Sequence, residues 1–251
     1  MTDIKKVNST SPSEKPMAGH VALVTGSSRG IGRAIAKRLA QLGAAVSLCG
    51  RDAKSLEAAA REVGEFSSQV LAHAADVTNA RDISSLVQAT EEKLGPITVL
   101  VNNAGIGNPG FGPAHEKGES DWDLVLNTNL KSVFLVSRAV APLMIQRRRG
   151  DIINISSLAG KNTFAGGGLY CASKWGLQGL AGCMADDLRA YGIRVSVVCP
   201  GSVATEFSGR GPKDPSKVLT AEDVAHAVAM VALQGPQSFI SEVQMRPVSK
   251  P

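Results

Sequence analysis

Seven short runs rich in Val, Ile, Leu and Ala alternate with stretches of helical periodicity, and this alternation narrows the possible folds of the 251-residue chain. The runs lie at His20–Thr25, Ala45–Cys49, Val70–Ala75, Ile97–Val101, Asp151–Ile155, Arg194–Val198 and Phe239–Met245. They are almost continuously apolar, the pattern of parallel strands covered on both faces. Helices are predicted over Ile31–Leu42, closed by Gly43, then over Ala53–Val63, Ala80–Leu94, Asp121–Arg149, Tyr170–Tyr191 and Ala221–Leu233.

Strand–helix alternation with right-handed crossovers implies an α/β fold: a single-domain, Rossmann-type, doubly wound parallel sheet of about seven strands with helices on both faces. Residues 1–18 read as a flexible N-terminal leader rich in Lys, Ser, Pro and Thr, and residues 19–251 as one domain. The leader lacks a signal peptide's apolar core, and no run approaches the ~20 apolar residues of a membrane span. A cytoplasmic location is therefore expected.

The net charge is +5 and aromatic residues are 4%. So few aromatics argue against a stacking platform for nucleic acid. The one cationic run, Arg147–Arg149, reads as a helix C-terminus with Gly150 as its cap. Cys49, Cys171, Cys183 and Cys199 form no CxxC pair and read as reduced, buried thiols. The four histidines show no ligand spacing, so no metal site is expected.

The first strand runs into Thr25-Gly26-Ser27-Ser28-Arg29-Gly30-Ile31-Gly32. Gly26 permits a tight turn, Gly30 lets backbone approach a pyrophosphate, and Gly32 lets the helix pack on the strand. The helix N-terminus, with Ser28 and Ile31 beside it, then faces the phosphates. At the end of the second strand Gly50 occupies the place where an acidic residue commonly binds the ribose hydroxyls, and Arg51 follows. Arg29 and Arg51 together would favour a 2′-phosphate, which makes NADP(H) the preferred cofactor and NAD(H) the alternative. Asp52 stands against this if the register shifts by a residue. Asp76-Val77 closes the third strand, where Asp76 could accept from an adenine amino group or cap the next helix, a role also open to Thr78 or Asn79. Asn102-Asn103-Ala104-Gly105 closes the fourth, where small residues allow close approach and asparagine amides can tie strand ends together.

Tyr170 and Lys174 are four apart and so share a helix face. Ser157 ends the fifth strand, and Tyr170 opens the next helix, so both should reach one cleft. Asn129 sits mid-helix, where asparagine is a poor helix former and needs a reason.

TGSSRGIG, NNAG, the asparagine of LNTNL, the serine of ISSLAG, YCASK and CPGSVAT occur in this order, and in this the chain resembles the short-chain dehydrogenase/reductase family over roughly residues 19–247. The resemblance implies an NADP(H)-dependent oxidoreductase that interconverts a carbonyl and a secondary alcohol. Tyr170 would be the general acid/base. Lys174 would lower its pKa and bind the nicotinamide ribose. Ser157 would polarise the substrate oxygen, and Asn129 would hold a water linking Lys174 to solvent. Pro200, Gly201, Val203 and Thr205 would meet the nicotinamide half.

The polar stretch Glu206–Leu219 is expected to close over substrate. Substrate choice should rest on the loops around 106–120 and 160–168, with Phe164 and Phe207 making the pocket partly apolar. Many family members end near an Asp-Gly-Gly segment, but this chain ends in Ser241–Pro247. That points away from the alternative of a 3-oxoacyl-acyl-carrier-protein reductase and toward reductases of small ketones, hydroxy acids or pterin-like carbonyls. A non-enzymatic NADP(H) sensor would not need Ser157, Tyr170 and Lys174 together. A homotetramer or homodimer is expected through helices 121–149 and 170–191, with Val133, Leu135, Val136, Leu143, Trp175, Leu177, Leu180 and Met184 as surplus apolar surface. No nucleic acid or membrane partner is expected.

Overall fold

The computed structural model describes residues 15–110, 112–205, 207, 214 and 217–249. Seven strands form one parallel sheet: β1 (Val21–Thr25), β2 (Ala45–Gly50), β3 (Val70–Ala74), β4 (Val99–Asn102), β5 (Gly150–Ile155), β6 (Ile193–Pro200) and β7 (Glu242–Met245). Their spatial order is β3-β2-β1-β4-β5-β6-β7. Every residue of β1, β2, β4 and β5 is buried, as continuous apolar runs require when helices cover both faces.

Helices α1 (Gly30–Gln41), α2 (Ala53–Gly64) and α7 (Ala221–Ala232) cover one face. Their buried positions, such as Ile35, Leu39, Leu56, Ala59 and Val63, recur at helical spacing. Helices α3 (Ala80–Leu94), α5 (Ser132–Arg147) and α6 (Gly168–Arg189) cover the other. The expected doubly wound sheet is thus present, and the strand order reverses between β1 and β4. In such sheets ligands bind at this switch point, beyond the carboxyl ends of the strands.

Four local features differ from the sequence reading. The single helix expected over Asp121–Arg149 is α4 (Glu119–Leu126), a π-turn at Asn127–Lys131 and then α5. Gly150 is not the cap of α5. Arg148 takes the left-handed conformation at φ 52, and Gly150 starts β5. The reason for glycine there is packing, since a Cβ at 150 would lie 2.3 Å from the Met144 sulfur. Of the expected leader, residues 1–14 lie outside the described residues. Met17 is fully buried in the core, and its N–H donates to the Leu42 carbonyl. Cys183 is exposed, while the other three thiols are buried; all four are free.

Candidate active site

All the sequence-selected site residues except Asn129 and Lys174 line one cleft of about 1240 Å³ at the carboxyl ends of the strands. Those two are buried just beneath it. The volume exceeds the ~300–1,000 Å³ of ordinary small-molecule sites, leaving room for a dinucleotide and a second molecule.

The glycine loop forms one end. Gly26 has φ 63, and a Cβ there would lie 2.8 Å from the Ala104 Cα. Gly32 is tighter still, since its Cβ would lie 2.3 Å from the Gly26 carbonyl oxygen. The Asn103 amide holds this turn by donating to the Thr25 and Gly26 carbonyls at 2.9 and 3.0 Å. Asn102 donates to Asn154 on β5 at 2.9 Å, so asparagine amides do tie adjacent strand ends. No side chain caps α1 at Arg29, and its first turn carries no acidic residue. An anion fits that helix end.

The charges at the end of β2 resolve the ambiguity over Asp52. Its carboxylate caps α2 by accepting from the Ser55 N–H at 2.7 Å, and hydrogen bonds from Ser55 hold its pKa below the usual range. It is committed to the helix. Asp76 does not cap α3; Asn79 does, accepting from the Arg81 and Asp82 N–H groups. Burial would raise the Asp76 pKa, but hydrogen bonds from the Thr78 N–H and hydroxyl, aided by the Arg51 charge, hold it low.

At the other end Ser157 and Tyr170 line the cleft together, and the Ser157 hydroxyl accepts from the Ala159 N–H at 3.1 Å. The Lys174 ammonium stands 5.8 Å from the centre of the Tyr170 ring and donates to the Ile155 carbonyl at 2.9 Å. Burial pushes the Tyr170 phenol up to about 12, against the lowering effect of Ser157. Burial also pulls Lys174 down to about 8. Desolvation is the largest contribution to both shifts.

Asn129 lies in the π-turn, a deformation often found at functional positions. Its Oδ1 accepts from the Ile106 N–H at 2.8 Å. Its Nδ2 donates to the Ile106 carbonyl at 2.9 Å and to the Ser173 hydroxyl at 3.1 Å. Phe207 meets Tyr170 edge-on at 6.0 Å between centroids, and Phe164 lines the same wall. Most of the stretch Glu206–Leu219, expected to close over substrate, lies outside the described residues.

Sequence reasoning missed Asn108. Its side chain accepts from the Tyr170 N–H at 2.8 Å and donates to the Gly166 carbonyl at 2.5 Å. The partners are 62 and 58 positions away, so no local spacing could have revealed them.

The family model described as short chain dehydrogenase matches residues 20–215. The NADP-dependent 3-hydroxy acid dehydrogenase of Salmonella typhi is 37% identical, covering 92% of this chain and 96% of its own. The sepiapterin reductase of Chlorobaculum tepidum is 33% identical, covering 92% and 97%. A metagenomic short-chain oxidoreductase, solved in complex with NADP, superposes with a TM-score of 0.82 at 44% identity, covering 94% of this chain and all of that one. The matches span nearly the whole described fold, and this chain belongs to the short chain dehydrogenase family.

Proposed function

We propose that the chain is an NADP(H)-dependent oxidoreductase that interconverts a carbonyl and a secondary alcohol. The observation that carries this reading is that Ser157 and Tyr170 line the same cleft as the glycine-loop helix, with the Lys174 ammonium 5.8 Å from the centre of the tyrosine ring. A phenol with a pKa of about 12 holds its proton at neutral pH, the state a general acid needs.

Gly30, Ile31 and the first amides of α1 would hold the pyrophosphate, and Arg29 and Arg51 the 2′-phosphate. Val77 would lie against the adenine, Ala104 and Gly105 against the ribose, and Val203 and Thr205 against the nicotinamide half. A nicotinamide held there would supply the hydride. The chain's own groups handle the proton. The Ser157 hydroxyl donates to the substrate oxygen as negative charge grows there. Tyr170 gives up its hydroxyl proton, and the Lys174 ammonium stabilises the phenolate left behind. Asn129 holds the Ile106 backbone and Ser173 in place around them.

Leu158, Phe164 and Phe207 make the substrate wall apolar, while Asn162 and Thr163 add neutral hydrogen-bonding groups. This wall suits an uncharged ketone or diketone. The test is NADPH absorbance decay with a panel containing a β-keto thioester, a β-keto acid and a diketone. The diketone should react fastest, and no decay with any compound would overturn the reading.

Cofactor choice is checked separately. Asp52 is occupied as a cap, and Arg51 lies near Asp76 at the cleft. Arg51→Ala should weaken NADPH by about tenfold and leave NADH unchanged, the loss of one charge-assisted contact. Equal dissociation constants for the two cofactors in the wild type would contradict the assignment.

The pH dependence has a definite sign. Lys174 loses its charge as pH rises through about 8, while Tyr170 keeps its proton to about 12. Reductive turnover should therefore be flat near neutrality and fall above about 8. A profile flat through the alkaline range would refute this role for Lys174.

The reading includes a homo-oligomer built on α4, α5 and α6. Val133, Val136 and Leu177 belong to the interior and are not surplus surface. Trp122, Phe134 and Trp175 are large exposed residues of these helices, and Phe134 lines a groove together with Leu126, Leu130 and Leu180. Light scattering should give a multiple of 26.1 kDa. The free thiols suit a reducing compartment and the cytoplasm.

A further inference from the structure

We propose that Asn108 is a positioning residue for Tyr170: its carboxamide caps the start of α6 and so fixes where the tyrosine hydroxyl sits against Ser157. The inference rests on the general-acid role argued above.

The helix that carries Tyr170 and Lys174 starts without a cap of its own. Its N-cap is Gly167, which has no side chain to offer. Tyr170 occupies the third helical position, where the backbone N–H has no partner inside the helix. A Ser, Thr, Asn or Asp at the N-cap usually accepts from this N–H. Here the acceptor is the Oδ1 of Asn108 at 2.8 Å, brought from the loop after β4. The same carboxamide donates from Nδ2 to the Gly166 carbonyl at 2.5 Å, just before the helix. Gly166 has φ 75, a conformation that favours glycine. Asn108 thus grips the helix start by one donor and one acceptor.

The grip is tied to the rest of the site. Two residues before Asn108, both backbone groups of Ile106 are held by the Asn129 amide. Asn129 also donates to Ser173, whose hydroxyl donates to the Tyr170 carbonyl at 2.7 Å. The Tyr170 backbone is therefore bound at its N–H by Asn108 and at its C=O by Ser173, and both bonds lead back to Asn129. Residues 106–108 form a short strap between the π-turn and the helix start. A tyrosine ring is rigid beyond its two side-chain torsions, so an error at its backbone passes directly to its hydroxyl. Displacements of about 1 Å at a reacting group can cost about 100-fold in rate.

The test uses the full chain with NADPH and the fastest ketone of the panel. Asn108→Leu removes both contacts at similar size. Turnover should fall about 10- to 100-fold, with the NADPH dissociation constant within about twofold of wild type. Asn108→Asp keeps an acceptor for the Tyr170 N–H and loses the donor to Gly166, so it should recover most of the lost turnover. In alcohol oxidation, where Tyr170 must first lose its proton, the ascending, acid-side limb of the leucine variant should move to higher pH, because a displaced phenol loses the lowering influence of Ser157. A role confined to loop stability would move neither the limb nor the turnover of folded enzyme. Should the leucine variant fail to fold, Asn108→Ser, whose hydroxyl is too short to reach, takes its place. Turnover within about twofold of wild type, or equal losses in the leucine and aspartate variants, would overturn the proposal. Tyr170→Phe separates the two readings. Normal turnover in that variant removes the general acid itself, whereas a large loss there beside normal Asn108→Leu turnover removes only the positioning role.

Discussion

Tyr170→Phe is expected to lower reductive turnover by about 10²–10⁴-fold, the usual contribution of a positioned general acid. The ring stays, so its edge contact with Phe207 and the start of α6 should survive, and NADPH should bind as before. The loss therefore falls on kcat, not on KM for the cofactor. Retention of more than about a tenth of the turnover would reject Tyr170 as the acid. Ser157→Ala should also act on rate, since its hydroxyl counts most as charge develops on the substrate oxygen. Lys174→Ala should differ from both. Its ammonium donates to Ile155 and stands beneath the tyrosine ring. Removing it should lower turnover and cofactor affinity together, because the ribose would lose a donor as well.

Gly32→Ala should be the most damaging single methyl in the chain's glycine loop. The new Cβ would lie 2.3 Å from the Gly26 carbonyl oxygen and 2.4 Å from the Asn103 amide nitrogen. The oxygen belongs to backbone, and the amide is itself bonded to two carbonyls. Neither can move aside without opening the turn. Overpacking of this kind typically costs about 1–3 kcal/mol, and here the displaced turn is also the proposed pyrophosphate cradle. Thermal unfolding should fall by several degrees, and NADPH affinity should drop about tenfold or more. Gly64→Ala is the control. Nothing lies within 4 Å of its Cβ at the end of α2, so the substitution should be neutral or gain about 0.5 kcal/mol. Equal behaviour of the two variants, measured by calorimetry and fluorescence titration, would show that the contact at Gly32 relaxes freely.

The seven strands and their helices were legible in the sequence because hydrophobic periodicity and helix-ending glycines are local signals. Gly43 at φ 103 after α1 and the break at Gly95 are such signals, and both close the helix they were expected to close. The glycine loop, the Tyr170–Lys174 spacing and Ser157 at a strand end were legible for the same reason. Tertiary structure decided what burial and distant partners control. Helical propensity across residues 121–149 could not show a π-turn, which turns Asn129 toward Ile106 and Ser173. Glycine at 150 looked like a cap, but packing against Met144 is what requires it. The charge on Lys174 and the proton on Tyr170 depend on desolvation, which exists only once the helix is docked on β5. Asn108 reaches a backbone N–H 62 residues away, a contact that no spacing encodes and only the closed sheet creates.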